Sequence, residues 1–167
     1  MKGIVSAMAD GPAGDGILAA GTFTRHVGLY SANGSGDMIA TFSVADTEAD
    51  KYIGGKGVTQ VLWSPCGRYL YVVERKSDGV LVYDIRITGK LVGWLEGRKG
   101  NTNQRLNVDL FTGKDNSSPE IWAGGTDGMI RMWSDTSDVT GRKQPAYEML
   151  AHDGKCGIHL EFLETLL

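Results

Sequence analysis

Apolar residues in this chain come in short runs, often alternating with polar ones. Glycine, aspartate and serine interrupt the runs at regular intervals, a grammar that predicts strands and tight turns rather than helices. The clearest unit is Ile121-Trp122-Ala123, the turn Gly125-Thr126-Asp127-Gly128, and the strand Met129-Ile130-Arg131-Met132-Trp133. Asp127-Gly128 suits a type I′ hairpin, because glycine takes a positive φ freely and aspartate tolerates it better than most residues. The same order recurs in Arg68-Tyr69-Leu70-Tyr71-Val72-Val73, then Asp78-Gly79, then Val80-Leu81-Val82-Tyr83-Asp84. A more worn copy runs through Ile17-Leu18-Ala19-Ala20-Gly21, a turn at Thr24 and Arg25, and Val27-Gly28-Leu29-Tyr30.

Each copy has flanking strand candidates. Met38–Phe42, Lys90–Leu95 and Tyr147–Leu150 follow the aromatic ends, while Gly57–Trp63 and Gln104–Leu110 precede the second and third copies. The unit is therefore four-stranded, with the preceding strands innermost. Tyr30 and Tyr83 are 53 residues apart and Tyr83 and Trp133 are 50 apart, a period suited to propeller blades. Trp63-Ser64-Pro65-Cys66-Gly67-Arg68 resembles the Ser-Pro-Asp-Gly turn of a WD-repeat blade, with Cys66 in place of the aspartate.

The expected fold class is thus all-β, a partial WD40-type β-propeller of about three four-stranded blades; a β-sandwich of regular hairpins is the competing architecture. No Gly-His dipeptide is present, so the usual hydrogen-bonded tetrad of a WD blade is not completed in its ordinary form. Residues 1–16 read as an N-terminal extension or blade remnant, 17–56 as a partial blade, and 57–100 and 101–152 as blades. Gly157–Leu163 within 153–167 reads as the start of a further one. Propellers have four to eight blades, so the ring is expected to be incomplete in this chain.

The 24 glycines among 167 residues fall at these turns rather than in one tract. No apolar run reaches the length of a membrane span, and the run after Lys2 is too short for a signal peptide. Cys66 and Cys156, without a Cys-x-x-Cys pair, read as reduced thiols, with neither a disulfide framework nor a metal site. The sequons at Asn33 and Asn116 carry no weight in such a protein.

Asp46-x-Glu48-x-Asp50 fails as a calcium loop, since Lys51 and Gly57 stand where the turn glycine and bidentate glutamate belong, and it reads as a solvated loop. Ile53–Gly57 lacks the spacing of a phosphate cradle. No nucleophile with a base beside it can be nominated, so no catalytic residue and no cofactor are expected. Trp63, Trp94, Trp122 and Trp133 are assigned to core packing before base stacking, with Trp94 the one expected to be exposed.

Net charge is −3, which excludes a globally basic nucleic-acid binder. Between Arg86 and Arg105, however, five basic residues (Arg86, Lys90, Arg98, Lys99, Arg105) face one acid, Glu96. They form either a strip that contacts phosphates or a solvated rim.

Leu91-Val92-Gly93-Trp94-Leu95, Gly97-Arg98, Thr102-Asn103-Gln104-Arg105, Val108-Asp109-Leu110 and the closing Trp133-Ser134-Asp135 together resemble the telomerase Cajal body protein family, which includes fungal relatives linked to spliceosomal snRNPs. Ala19-Ala20-Gly21 and Gly28-Leu29-Tyr30 add to the likeness. Where that family has Asp-Pro-x-Gly, Phe111–Pro119 is an insertion, as in a divergent, fungal-type member. The resemblance implies a non-catalytic nuclear scaffold that binds small nuclear or small Cajal body RNA and RNP proteins, in snRNP biogenesis or pre-mRNA splicing. Alternatives are a protein-only interaction propeller, of the ligase-adaptor or histone-binding type, and an enzyme. Candidate RNA or partner-binding residues are Arg98, Lys99, Thr102, Asn103, Gln104 and Arg105. Arg105 offers a planar fork of donors, and Asn103 and Gln104 each offer a donor and an acceptor. The structural alternative has Asn and Thr capping a turn and Arg105 paired to Asp109 or an acid of another blade.

Overall fold

Three sheets stand side by side, each begun by an inner strand and extended outward by successive antiparallel partners. A computed structural model describes residues 1–12, 14, 16–112 and 119–152. The first sheet is β1 (Val5–Asp10), β2 (Leu18–Thr22), β3 (His26–Tyr30) and β4 (Met38–Ser43), hydrogen-bonded in that order. A short helix α1 (Asp50–Ile53) then leads to β5 (Val58–Trp63), β6 (Tyr69–Glu74), β7 (Gly79–Asp84) and β8 (Lys90–Glu96). The third sheet is β9 (Val108–Phe111), β10 (Glu120–Gly124), β11 (Met129–Trp133) and, on its outer edge, β13 (Tyr147–Leu150). Between β11 and β13 the chain returns to the second sheet, where β12 (Gly141–Lys143) pairs parallel to β8 at Gly93–Leu95.

These are three four-stranded blades, one carrying a fifth strand. Residues 5–10, within the stretch read as an extension or blade remnant, are a strand that pairs with β2 from Val5↔Thr22 to Asp10↔Leu18. The inner strand before the third blade starts at Val108, four residues later than Gln104. Residues 157–163, read as a further inner strand, lie outside the described residues.

The alternation along the central blade explains its burial. Leu70, Val72, Leu81 and Tyr83 pack toward the first blade with Ala19, Val27 and Leu29. Their neighbours Tyr71, Val73, Val80 and Val82 pack toward the third with Val108, Ile121 and Trp133. Successive strand residues point to opposite faces, and here both faces are covered, so β6 and β7 read as nearly unbroken apolar runs. Side chains also stitch blade to blade. The Gln60 amide donates to Val108 O at 2.8 Å and accepts from Val108 N at 2.9 Å, joining β5 to β9, and Trp63 Nε1 donates to Ala9 O at 3.0 Å.

Two turn expectations change in detail. Only Gly128 of the Asp127-Gly128 pair has a positive φ, and Gly128 N donates to Gly125 O at 3.3 Å, so the loop is a type I turn closed by a left-handed glycine. In the second hairpin Lys76 takes the left-handed position (φ 51°), while Gly79 belongs to β7. Gly79 is required by close approach: a Cβ there would meet Leu95 O and lie 2.7 Å from Ile53 Cγ2. Gly79→Ala is expected to lower stability by roughly 1–3 kcal/mol, because the obstructing Leu95 atom is backbone and cannot swing away. Urea unfolding checks it, as a lower midpoint with unchanged slope.

Three of the four tryptophans are core residues: Trp133 is fully buried, Trp94 4% exposed and Trp63 8%. The expectation that Trp94 is exposed is overturned. Its ring stacks on Tyr52 of α1 at 5.4 Å, and Tyr52 is the exposed member of the pair. The acidic loop is not wholly solvated either, since Asp50 is drawn into an ion pair with Arg25 at 2.6 Å.

Candidate nucleic-acid interface

The hairpin tips at 23–25, 75–78 and 125–128 and the interblade segments 44–57 and 97–107 gather on one end of the blades. Backbone bonds tie them together: Asp78 N to Ile53 O at 2.7 Å, Arg98 N to Asp78 O at 2.9 Å, Lys76 N to Thr102 O at 3.0 Å and Thr126 N to Lys99 O at 2.9 Å. Of the two readings left open for the basic residues between Arg86 and Arg105, a single strip does not fit this arrangement. Arg86 and Lys90 lie at the opposite end, where β7 turns into β8, and Arg86 is paired to Asp84 at 2.6 Å.

Arg98 and Lys99, adjacent in sequence, have opposite fates. Gly97 (φ 95°) and Lys99 (φ 54°) both take left-handed backbone, which turns Arg98 inward and Lys99 outward. Arg98 is 2% exposed; its guanidinium donates to Leu106 O and, at 3.5 Å, to Glu74 O. Burial lowers its pKa to about 10, only partly opposed by the charge of Asp78. It therefore holds the loop from beneath rather than offering a contact, which corrects its place among the candidate binding residues.

Thr102, Asn103, Gln104 and Arg105 lie not on the inner strand but in the loop leading to it. Thr102 is half-buried and caps locally, its Oγ1 accepting from Gln104 N at 3.2 Å, as the structural reading expected. Asn103, Gln104 and Arg105 are exposed. The Arg105 guanidinium reaches across the inner strands and donates to Ser6 O of β1 rather than to a carboxylate. Beneath it, Ser6, Met8, Gln60, Val61 and Asn107 help line an open cavity of about 370 Å³ along the inner strands.

Elsewhere on this end Glu74, Asp50 and Asp127 are occupied, while Asp78 Oδ1 at the second hairpin tip is buried without a hydrogen-bond partner among the described residues. Glu74 accepts from Arg25 Nε at 2.7 Å, and Asp50 accepts from the other side of the same guanidinium. Asp127 accepts from both Nη atoms of Arg131, at 3.0 and 2.6 Å. Residues missed by sequence reasoning are Lys56, Arg75 and Lys76, together with exposed Phe23, whose ring lies 4.9 Å from the Arg75 guanidinium carbon. Phe23 and Lys76, 53 residues apart, hold equivalent places in successive hairpin tips at the blade period, but Lys56 falls outside that period, so the repeat marks the tips without marking the cluster. Among the described residues no group of three or more His, Cys, Asp or Glu side chains is placed to hold a metal ion.

The blade order, hairpin closures and interblade packing define a class, the WD-repeat type of β-propeller, present among the described residues as three blades that do not close a ring. The chain belongs to that class, and within it its sequence resembles the telomerase Cajal body protein family. It is 29% identical over 152 residues to human Telomerase Cajal body protein 1 and 30% identical over 128 residues to the Mesocricetus auratus protein of that name. It is 39% identical over 133 residues to the Schizosaccharomyces pombe "Guanine nucleotide-binding protein negative regulator 1". These alignments cover 89%, 75% and 80% of the chain, which spans 24%, 22% and 30% of the respective relatives. No family model matches the chain. Among solved structures, a chain of the mitotic checkpoint complex superposes with a TM-score of 0.62 at 18% identity, over 90% of this chain and 38% of that one. The designed Ika8 protein does so at 0.59 and 17%, over 92% and 38%. At such identities these two likenesses bear on the fold alone.

Proposed function

We propose that this protein is a non-catalytic nuclear scaffold that binds small nuclear or small Cajal body RNA together with RNP proteins, in snRNP biogenesis or pre-mRNA splicing. One observation carries the reading. The side chains most distinctive of the resemblance, Asn103, Gln104 and Arg105, are exposed on a loop whose backbone is pinned at Lys99 and Thr102, rather than packed inside a blade. Hydrogen-bonding groups held on a rigid frame in this way suit recognition. The names of the mammalian relatives support the Cajal body context. Lys99 adds an exposed cation beside the motif.

Two measurements test this. RNase-controlled affinity purification of the intact protein is expected to recover small nuclear or small Cajal body RNA and to lose part of its protein partners after RNase. Partners that all survive RNase, with no RNA recovered, would replace this reading with the protein-only scaffold. In binding titrations, Lys99→Ala with Arg105→Ala is expected to weaken RNA binding and to reduce the slope of log K against log salt by about 1–2. Arg98→Ala is expected to act differently, lowering the unfolding midpoint, because its guanidinium bonds carbonyls in the interior.

A further inference from the structure

On this end Arg25 takes Asp50 and Glu74, Arg131 takes Asp127, and Asp78 Oδ1 is buried without a hydrogen-bond partner among the described residues, yet three further cations are not drawn into any of these carboxylates. Lys56 and Lys76 are exposed, and Arg75 between them is half-buried; none is in an ion pair among the described residues. Arg75 is held flat. Its Nε donates to Lys56 O at 3.0 Å while its guanidinium carbon sits 4.9 Å from the centre of the Phe23 ring. Phe23 is 38% exposed at the tip of the β2–β3 hairpin. Gly57 lets that tip come so close: a Cβ there would be 2.6 Å from Phe23 O.

An aromatic ring that is partly exposed and backed by a planar guanidinium between lysines is a platform for an unpaired base, with cations for the phosphates on either side. The platform is continuous with the Thr102–Arg105 loop. Lys76 directly follows Arg75, and its backbone N–H donates to Thr102 O.

We infer that Phe23, Arg75, Lys56 and Lys76 form a stacking subsite for single-stranded RNA, beside Asn103, Gln104 and Arg105 on one path. The inference rests on the RNA-binding reading above and specifies which form of RNA the face takes. A base stacks on the Phe23–Arg75 pair, Lys56 and Lys76 take the flanking phosphates, and the strand continues toward Arg105. Stacking on a π-face is indifferent to base identity, so this subsite prefers unpaired over duplex RNA without selecting a sequence.

The test compares a fluorescently labelled single-stranded oligouridylate with a duplex RNA of equal phosphate number, both titrated onto the intact protein. Single-strand binding is expected to be the tighter. Phe23→Ala is expected to weaken it about tenfold or more while leaving the salt slope unchanged, and Phe23→Tyr to restore it. Lys56→Ala with Lys76→Ala is expected instead to lower the salt slope by about 1–2. Thermal unfolding of Phe23→Ala, matched to the parent, separates the loss from misfolding; Phe23→Tyr and the lysine pair carry the test if it does not match. RNA binding that is unchanged in Phe23→Ala, or equal for single strand and duplex, overturns this subsite and leaves the scaffold reading in place. No RNA binding by the parent protein overturns both.

Discussion

Arg25→Met is expected to destabilise the protein by about 3–5 kcal/mol, the cost of removing one partner from a buried ion pair and leaving the other uncompensated. Arg25 bridges two blades. From the first hairpin it donates to Glu74, whose side chain is 1% exposed at the end of β6, and to Asp50 at the start of α1. Glu74 Oε1 also accepts from Gly57 N at 3.1 Å, so the carboxylate fixes the entry to β5 as well. Chemical denaturation should show a much lower midpoint. Glu74→Gln, which keeps the shape and an acceptor oxygen, is expected to lose less.

The pH dependence of this cluster has two opposing parts. Burial alone would raise the Asp50 carboxyl, but the hydrogen bonds and charge of Arg25 outweigh it and hold it below the usual range. Asp50 therefore contributes stability that is present above its unfolded value, about 3.9, and is lost as pH falls through the lower folded value. Burial pushes Glu74 up, and Arg25 and Gly57 offset this only in part. Its folded state holds the proton more tightly than the unfolded chain, so its contribution falls as pH rises through the folded value. Asp50→Asn is thus expected to flatten the acid limb of a stability–pH curve, and Glu74→Gln to remove a slope of opposite sign above about pH 4.3. In Arg25→Met, Glu74 loses its counter-charge, so the deficit is expected to shrink on mild acidification.

Trp133→Ala is expected to cost a further large amount, about 3–5 kcal/mol, through the cavity it leaves between the second and third blades. The ring is fully buried with Tyr71, Val80, Val82 and Leu95 in the same cluster, and its Nε1 donates to Glu96 O at 3.2 Å. Trp133→Phe fills most of the volume but leaves that carbonyl without the indole donor, so about 1–3 kcal/mol should be lost. Comparing the two by urea unfolding separates packing from the hydrogen bond. Equal losses would mean that cavity volume is not what Trp133 supplies.

Legibility in the sequence followed locality. Strands β2 to β8, β10, β11 and β13 were readable because a period of two and a turn residue act within a few positions of each other. Strand β12 was not: Gly141-Arg142-Lys143 has no apolar alternation and is a strand only because the edge of β8 offers it partners. Helix α1 is four residues long, too short for a helical period to show. The candidate loop was identified by its residues but misplaced on a strand, since Arg105 and Leu106 continue the pattern of β9 without continuing its pairing.

Alone, the chain's pattern determined the blade count, the hairpin positions and the aromatic ends that face neighbouring blades, because these depend on backbone dihedrals and side-chain period. The tertiary structure decided which charges are free. Arg25 and Glu74, 49 residues apart, neutralise each other only because two blades pack together, and Arg98 is interior while Lys99 is not because of two left-handed residues. Ion pairing and desolvation act through space, so the exposed cations Lys56, Lys76, Lys99 and Arg105, with half-buried Arg75, emerge as one surface only once the blades are in contact.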